Sequence, residues 1–448
     1  MRLVLLAATA AAALTLSGVA PAQSRPASQR AKALPSGTWT IGAVSLTDTG
    51  WTWATLQFAG DSVRGELGAQ HNLVRGAIHG DTVDITQYWD STIVKAHIRV
   101  VVRDGRLVGT RAYARDPGDP ITDTTVWFAT PLPVRAGPPR AITFEPQVFH
   151  RQFSGAIAPA LHIFPGDTVK TKTIDATGAD WNGTKRSPGG NPETGPFYIE
   201  GALPGDVVAI HLHRVRLNRD YAVAGSSIVG SAISPGLARD LADVPNFNSR
   251  WKLDRARGVA MLEHPTPAMA HYEIALRPML GCVGVAPAQK QSIRTGDSGP
   301  FGGNMDYNEI REGTTVYLRV NEPGALVFVG DGHAVEGDGE LTGDALETSM
   351  DIDFSVDVIR GTPIGGPRAE NAEYLMAIGI SGDLHESLRV ATSDMARWLT
   401  AGYKLNSAEL ASILGTALKY DVADMVGSQV SIVAKIPRAV LAPLQRAK

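Results

Sequence analysis

The 448 residues predict a mainly β protein, α+β overall, with a small all-β domain, a larger strand-rich domain and C-terminal helices. Three observations carry that prediction. Apolar and polar residues alternate with period two from about Thr38, the signature of half-buried strands. A Pro-Gly-Asp turn stands twice ahead of such a run, at Pro165–Asp167 and Pro204–Asp206. After Asp383 the apolar spacing becomes helical.

The chain opens with Met1-Arg2, an apolar small-residue run, and Ala20-Pro21-Ala22 ahead of Gln23. That pattern predicts a signal peptide over residues 1–22 and export to the periplasm or beyond. A polar linker over residues 23–37 follows. No later segment has the ~20 apolar residues of a membrane span. With 45 acidic against 42 basic residues and no basic run, the composition argues against nucleic acid as a partner. The single cysteine, Cys282, allows no intrachain disulfide.

Residues 38–133 read as the first all-β domain, with Arg103-Asp104-Gly105-Arg106 as a hairpin turn. The proline-rich PLPVRAGPPRA leads out of it, and a second domain is expected over residues 140–448. In that domain TTVYLRVNEPGALVFVGDG reads as a hairpin connected by Asn321–Gly324. Leu384, Leu388, Ala391, Met395, Trp398 and Leu399 mark a helix capped by Asp383, with Glu386 at its third position. Asn406 caps a second helix, and the helical segment is expected to run over about 383–427.

Candidate chemistry centres on Gly330–Glu340, GDGHAVEGDGE. Its glycines let the backbone crowd side chains around one point. The spacing after Asp331 does not fit an EF-hand, and a histidine amid carboxylates suits a transition metal better than calcium. A solvated acidic turn remains the other reading of the stretch taken alone. Nearby in sequence stand Asn304, Asp306 and Glu309 after SGPFGG, then Asp344 and Glu347, and earlier Asp175 and Asp180 in TIDATGADWNG. His211 and His213 share one face of a strand, where such a pair can ligate a metal or stand as a half-exposed strand face, and the latter is the preferred reading. Cys282, with apolar neighbours, reads as a core residue. No P-loop, HExxH or dinucleotide fingerprint is present.

GPFGGNMD, GALVFVGDGHAVEGDGE, PGDTVKTKTIDATGADWNG and GPFYIEGALPGDVV resemble the acetamidase/formamidase family, over roughly Ile142 to Pro437. The resemblance implies a jelly-roll-like β-sandwich with helices toward its end, and hydrolysis of short carboxamides, formamide-like, acetamide-like or a lactam, to a carboxylate and ammonia. It implies a divalent metal, with zinc expected and calcium the other candidate. Matching positions assign His333, Asp175, Asp338 and Asp306 to the metal, Glu347 and Glu340 to proton transfer, and Asn304 to the carbonyl oxygen. Glu336 stands where the family usually has glutamine. The partner implied is a small-molecule amide, with homo-oligomer formation left open. A non-catalytic exported β protein binding calcium or carbohydrate is the competing reading. A third is a hydrolase of this fold whose first domain presents a larger substrate.

Overall fold

The computed structural model describes residues 34–44, 49–241, 247–362 and 364–446. The expected signal peptide and most of the linker after it lie outside them. Among the described residues no helix is long and apolar enough to cross a membrane. The protein is mainly β, as the alternation predicts.

The first eight strands are β1 (Gly37–Val44), β2 (Thr49–Ala59), β3 (Ser62–Leu67), β4 (Asn72–His79), β5 (Thr82–Tyr88), β6 (Val94–Arg103), β7 (Arg106–Tyr113) and β8 (Asp123–Pro131). Each pairs antiparallel with the next, and β1 pairs with β8, so the sheet closes into a barrel. Closure removes the free edges that an open eight-strand sheet would expose. The β6–β7 turn has Asp104 at φ 49° and Gly105 at φ 74°, the two positive φ values that a tight type I′ hairpin needs. Trp39, Leu56, Val74, Ile85, Ile98 and Leu107 alternate inward and fill the barrel with a core of its own.

Apart from a two-stranded ladder of Gln152–Phe153 with Ile293–Arg294, the remaining strands form two large sheets. One carries Thr168–Lys172, Met350–Ile359, Val207–Leu217, Thr315–Arg319 and Tyr374–Ser381; the other is centred on Val327–His333, flanked by Met279–Gly284 and Glu347–Thr348. Their inner faces share one apolar core, with Phe197 of one sheet edge-on to Phe354 of the other at 5.2 Å. Such a core removes both faces from water at about 25 cal/mol per Å² of apolar surface. It also holds the second sheet, which carries His333, against the first.

Two expectations are corrected. Thr315–Arg319 and Val327–His333 are not a hairpin, because they lie in different sheets. Gly324, Ala325 and Leu326 all have positive φ, and that left-handed run turns the chain across the core. The helical segment also ends early. Leu384–Tyr403 and Ser407–Ala417 are helices, capped by Asp383 and Asn406 as expected. Lys419–Asp424, however, is a strand paired with Val430–Pro437. Local helix propensity loses there to a ladder that the neighbouring strand supplies.

The repeated Pro-Gly-Asp device builds the same turn twice. Gly166 and Gly205 have φ 84° and 95°, and each aspartate side chain accepts from the backbone N–H three residues earlier, Phe164 at 3.1 Å and Leu203 at 3.0 Å. Each also takes an arginine. Arg360 serves Asp206, while Arg135 and Arg140, from the proline-rich connection, reach Asp167 at 2.6 and 2.8 Å. Asp167 thus fastens the connection leaving the barrel to the larger domain. Burial pushes its carboxyl up, but the Arg140 and Arg135 hydrogen bonds outweigh that and hold it well below the usual range. Asp167→Ala should cost about 2 kcal/mol in denaturant unfolding. Because the folded carboxyl is the stronger acid, its contribution holds at neutral pH and disappears as pH falls below ~4. Wild type and variant should therefore converge in acid.

Candidate active site

The centre of the second sheet gathers the side chains singled out in GDGHAVEGDGE. His333 ends the central strand and sits directly opposite Glu347 on the neighbouring one. Its Nδ1 lies 2.7 Å from Glu336 Oε2. Its Nε2 lies 3.1 Å from Glu347 Oε1 and 3.5 Å from Asp331 Oδ1, yet hydrogen-bonds to neither. The imidazole is fully buried.

The floor beneath is Gly281. A Cβ there would run into Asp306 Oδ1, Asp331 Oδ2 and His333 Cε1, so only glycine lets these three groups meet. Met305 and Asp306 fold their N–H groups back onto the Gly281 carbonyl at 2.9 and 3.1 Å. Asp306, Asp331 and Glu340 all have positive φ, at 42°, 52° and 47°. Non-glycine residues held there cost of order 1–3 kcal/mol each, and such strain concentrates at functional sites. The backbone is bent to aim carboxylates at one point.

Asn304 donates to Asp306 and accepts from Asn191 Nδ2 at 2.8 Å; the same Asn191 amide reaches Asp331 Oδ2 at 3.0 Å. Asp424 arrives from the strand that sequence patterning had read as helix, through a backbone bridge to Gly339. Glu193 lies below Gly330, whose Cβ would strike its carboxylate. Both Glu193 oxygens are buried without a hydrogen-bond partner.

The electrostatics follow from so many acids around one base. Burial raises the carboxyls of Glu336, Glu347 and Glu340 to about 7, 8 and 9, against the pull of His333. Burial, then Glu340 and Asp331, push Asp306 well up. Burial alone would lower His333, but Glu347 and Asp331 carry it well above its ordinary value. Asp306 Oδ1, Asp331 Oδ1, His333 Nε2, Glu336 Oε1 and Glu347 Oε2 are all buried and unpartnered. Three sets of donor atoms each lie within 4.8 Å of one another: Asp306–His333–Glu336, Asp331–His333–Glu347 and Asp306–Glu340–Asp424. Buried, unsatisfied N and O donors in this number fit a cation, which would relieve both their repulsion and their missing partners.

Of the residues expected from sequence, His333, Asp306, Glu340, Glu347 and Asn304 are brought together. Asp175 is not: its oxygens accept from Arg219 Nη2 at 2.6 Å, Thr177 Oγ1 at 2.8 Å and Ala179 N at 2.8 Å. It shapes a buried turn and belongs to none of the three donor sets. Asp338 is exposed and accepts from Asn308 Nδ2 at 2.8 Å. Sequence reasoning missed Asp331, Asn191, Glu193 and Asp424. Asp331 stood inside the quoted motif, whereas the others are remote in sequence and carried no signal. His211 and His213 lie on a strand face away from the centre, bonded to Thr315, Asp357 and Ser355.

Glu336 and Glu340 open onto a cavity of about 420 Å³, lined also by Trp251, Leu262, Tyr272, Ile274, Val335 and Leu346. Asp338 and Asp344 stand in the same lining.

Fold and site define a class: a mainly β protein with a buried histidine–carboxylate centre opening on an apolar cavity. Comparison with known proteins gives the likeness. Residues 288–440 match the model of the Acetamidase/Formamidase family, which bears out the resemblance read from the motifs. A candidate formamidase of Schizosaccharomyces pombe is 25% identical over 249 residues, 44% of this chain and 61% of that protein. The chain thus spans about three fifths of that relative's length. Among solved structures, an acetamidase from Yersinia enterocolitica is 28% identical with a TM-score of 0.58, covering 67% of this chain and 93% of that one. An acetamidase from Bacillus halodurans is 25% identical with a TM-score of 0.58, covering 68% and 99%. A candidate acetamidase/formamidase from Thermoanaerobacter tengcongensis is 25% identical with a TM-score of 0.57, covering 68% and 98%. About a third of this chain therefore has no counterpart in these structures.

Burial, then the nearby Asp331, hold the Glu193 carboxyl well above the usual range. The folded chain then binds that proton more tightly than the unfolded one. Its stabilising contribution is complete below pH ~4.5 and is lost as pH rises. In chelator-treated protein, Glu193→Gln should keep the shape and remove that loss. Denaturant unfolding at pH 8 should find it more stable than wild type, with the two close together at pH 4.

Proposed function

We propose that the chain is an exported, metal-dependent amidase that cleaves the C–N bond of a carboxamide to a carboxylate and ammonia. The observation that carries this reading is the buried, unpartnered Nε2 of His333 with Asp331, Glu347 and Asp306 around it. The family match supports amide hydrolysis as the reaction. Two sheets around one core support the jelly-roll-like sandwich, with the barrel as a separate domain before it.

His333, Asp331, Glu347 and Asp306 would hold the divalent ion, with zinc favoured by the imidazole. When bound, such an ion polarises a carbonyl and lowers the pKa of water from 15.7 to about 7. Glu336 holds His333 through Nδ1 and so sets which ring nitrogen faces the centre. A glutamine at that position could accept from Nδ1–H in the same way, but the carboxylate adds negative charge behind the imidazole and strengthens it as a donor. Glu340 borders the cavity, accepting from Ala345 N at 3.1 Å. In this reading burial and the neighbouring carboxylates, which raise its carboxyl, would be offset by a bound cation, and Glu340 would then take a proton from water and pass it to the departing nitrogen. The Asn304 and Asn191 amides fix Asp306 and Asp331, so Asn304 acts as an orienting group as much as a donor to the carbonyl.

The cavity is in the size range of drug-sized ligand sites, roughly 300–1,000 Å³, and the rings of Trp251 and Tyr272 meet in it at 6.2 Å. An amide with an apolar substituent fills that space better than formamide does. Phenylacetamide should therefore show a kcat/KM at least tenfold above that of acetamide, measured by ammonia release. Equal or inverted values would return the substrate to the smallest amides.

His333→Ala should lose both bound metal, by elemental analysis, and ammonia release. Glu340→Gln should retain the metal while kcat drops by about 10²–10⁴. A purified protein with full metal content and no ammonia from any amide would leave a binding protein instead. A His333→Ala variant that keeps its metal and its rate would remove the assignment.

A further inference from the structure

A second buried polar group of residues lies in the barrel, far in sequence from the amidase centre. It occupies the mouth where β1, β3, β5 and β7 end and β2, β4, β6 and β8 begin. A cavity of about 290 Å³ opens there. Trp127 and Leu67 form an apolar wall, and Asn72, Gln87, Lys95 and Arg111 a polar one. Below it the apolar barrel core begins. An eight-stranded barrel has an interior just wide enough for side chains or one small ligand, and a mouth of this kind is a common ligand site.

The polar wall is built rather than incidental. Period two along β7 puts Arg111 on the side of buried Leu107. Lys95 reaches the mouth through a break in strand pairing: Gln87 faces Ala96 while Tyr88 faces Val94, leaving Lys95 as the extra residue of a bulge. Lys95 Nζ donates to Asn72 Oδ1 at 3.0 Å, Gln87 Nε2 donates to the same oxygen at 3.1 Å, and Arg111 Nη2 donates to Gln87 Oε1 at 3.3 Å. Lys95 also stands 3.7 Å over the Trp89 ring.

Every one of those acceptors is neutral. Among the described residues, neither Lys95 nor Arg111 forms an ion pair with a carboxylate, and the cavity lining holds none. Burial, then Arg111, lower the Lys95 ammonium; burial lowers Arg111. Two like charges share a half-buried mouth without a counter-ion, a costly arrangement unless something anionic completes it. An arginine fork suits a carboxylate, and a lysine adds a point charge beside it.

We propose that the barrel mouth binds a small organic carboxylate with an apolar tail, the carboxylate bridging Arg111 and Lys95 and the tail lying on Trp127 and Leu67. The site is separate from the amidase centre and stands whether or not that centre hydrolyses amides.

The test is titration calorimetry of the full-length protein with hexanoate, with 1-hexanol and inorganic phosphate as comparison probes. Hexanoate should bind, hexanol should not, and phosphate should bind more weakly than hexanoate. Arg111→Gln and Lys95→Met should each weaken hexanoate at least tenfold, while His333→Ala leaves it unchanged. Because each substitution removes an uncompensated cation, both variants should melt no lower than wild type, and hexanoate should raise the Tm of wild type alone. The proposal is overturned by the absence of hexanoate binding, by undiminished binding in the two barrel variants, by loss in His333→Ala, or by tighter binding of phosphate or hexanol.

Discussion

One buried imidazole stands among more carboxylates than it can neutralise, and much of the larger domain is arranged to hold that imbalance. His333 faces Glu336 through one nitrogen and Glu347 and Asp331 through the other. Asp306, Glu340 and Asp424 close a second side of the cluster. Bringing a carboxylate out of water without a partner costs several kcal/mol. Such a cluster persists only on a scaffold stable enough to pay that penalty, and the shared core of the two large sheets provides one.

Backbone geometry carries much of the aim. Gly281 leaves the space over which Asp306, Asp331 and His333 meet, and Gly330 does the same for Glu193. Asp306, Asp331 and Glu340 hold positive φ, and all three contribute carboxylates to the cluster around His333. The strain and the buried charge reinforce one reading, because both are expensive in a protein that merely folds. The apolar cavity beside Glu336 and Glu340 then gives the centre something to act on.

The barrel repeats the theme with opposite sign. Its mouth concentrates cations where the centre concentrates carboxylates, and each lacks the charge that would balance it. In the proposed reading the larger domain releases a carboxylate and the barrel mouth holds one, which would join two related chemistries in one chain. The connection between them is pinned by Arg135 and Arg140 on Asp167.

The alternation from Thr38, the Asp104-Gly105 turn, the two Pro-Gly-Asp turns and the caps at Asp383 and Asn406 were legible in the sequence, because each depends on neighbours a few residues away. The motif around His333 was legible for the same reason, as were Glu340, Asp306 and Glu347 as candidates. Barrel closure was not, since pairing of β1 with β8 joins residues some ninety positions apart. Nor was the crossing after Thr315–Arg319, where three left-handed residues, two of them non-glycine, send the chain to the other sheet. Asp175 looked like a ligand until tertiary structure placed Arg219 against it. Asn191, Glu193 and Asp424 entered the centre only through sheet pairing and a strand where helix was expected. Residue types and local turns are written along the chain; which charges end up facing one another is decided by long-range packing, where a carboxylate finds either an arginine or an open centre.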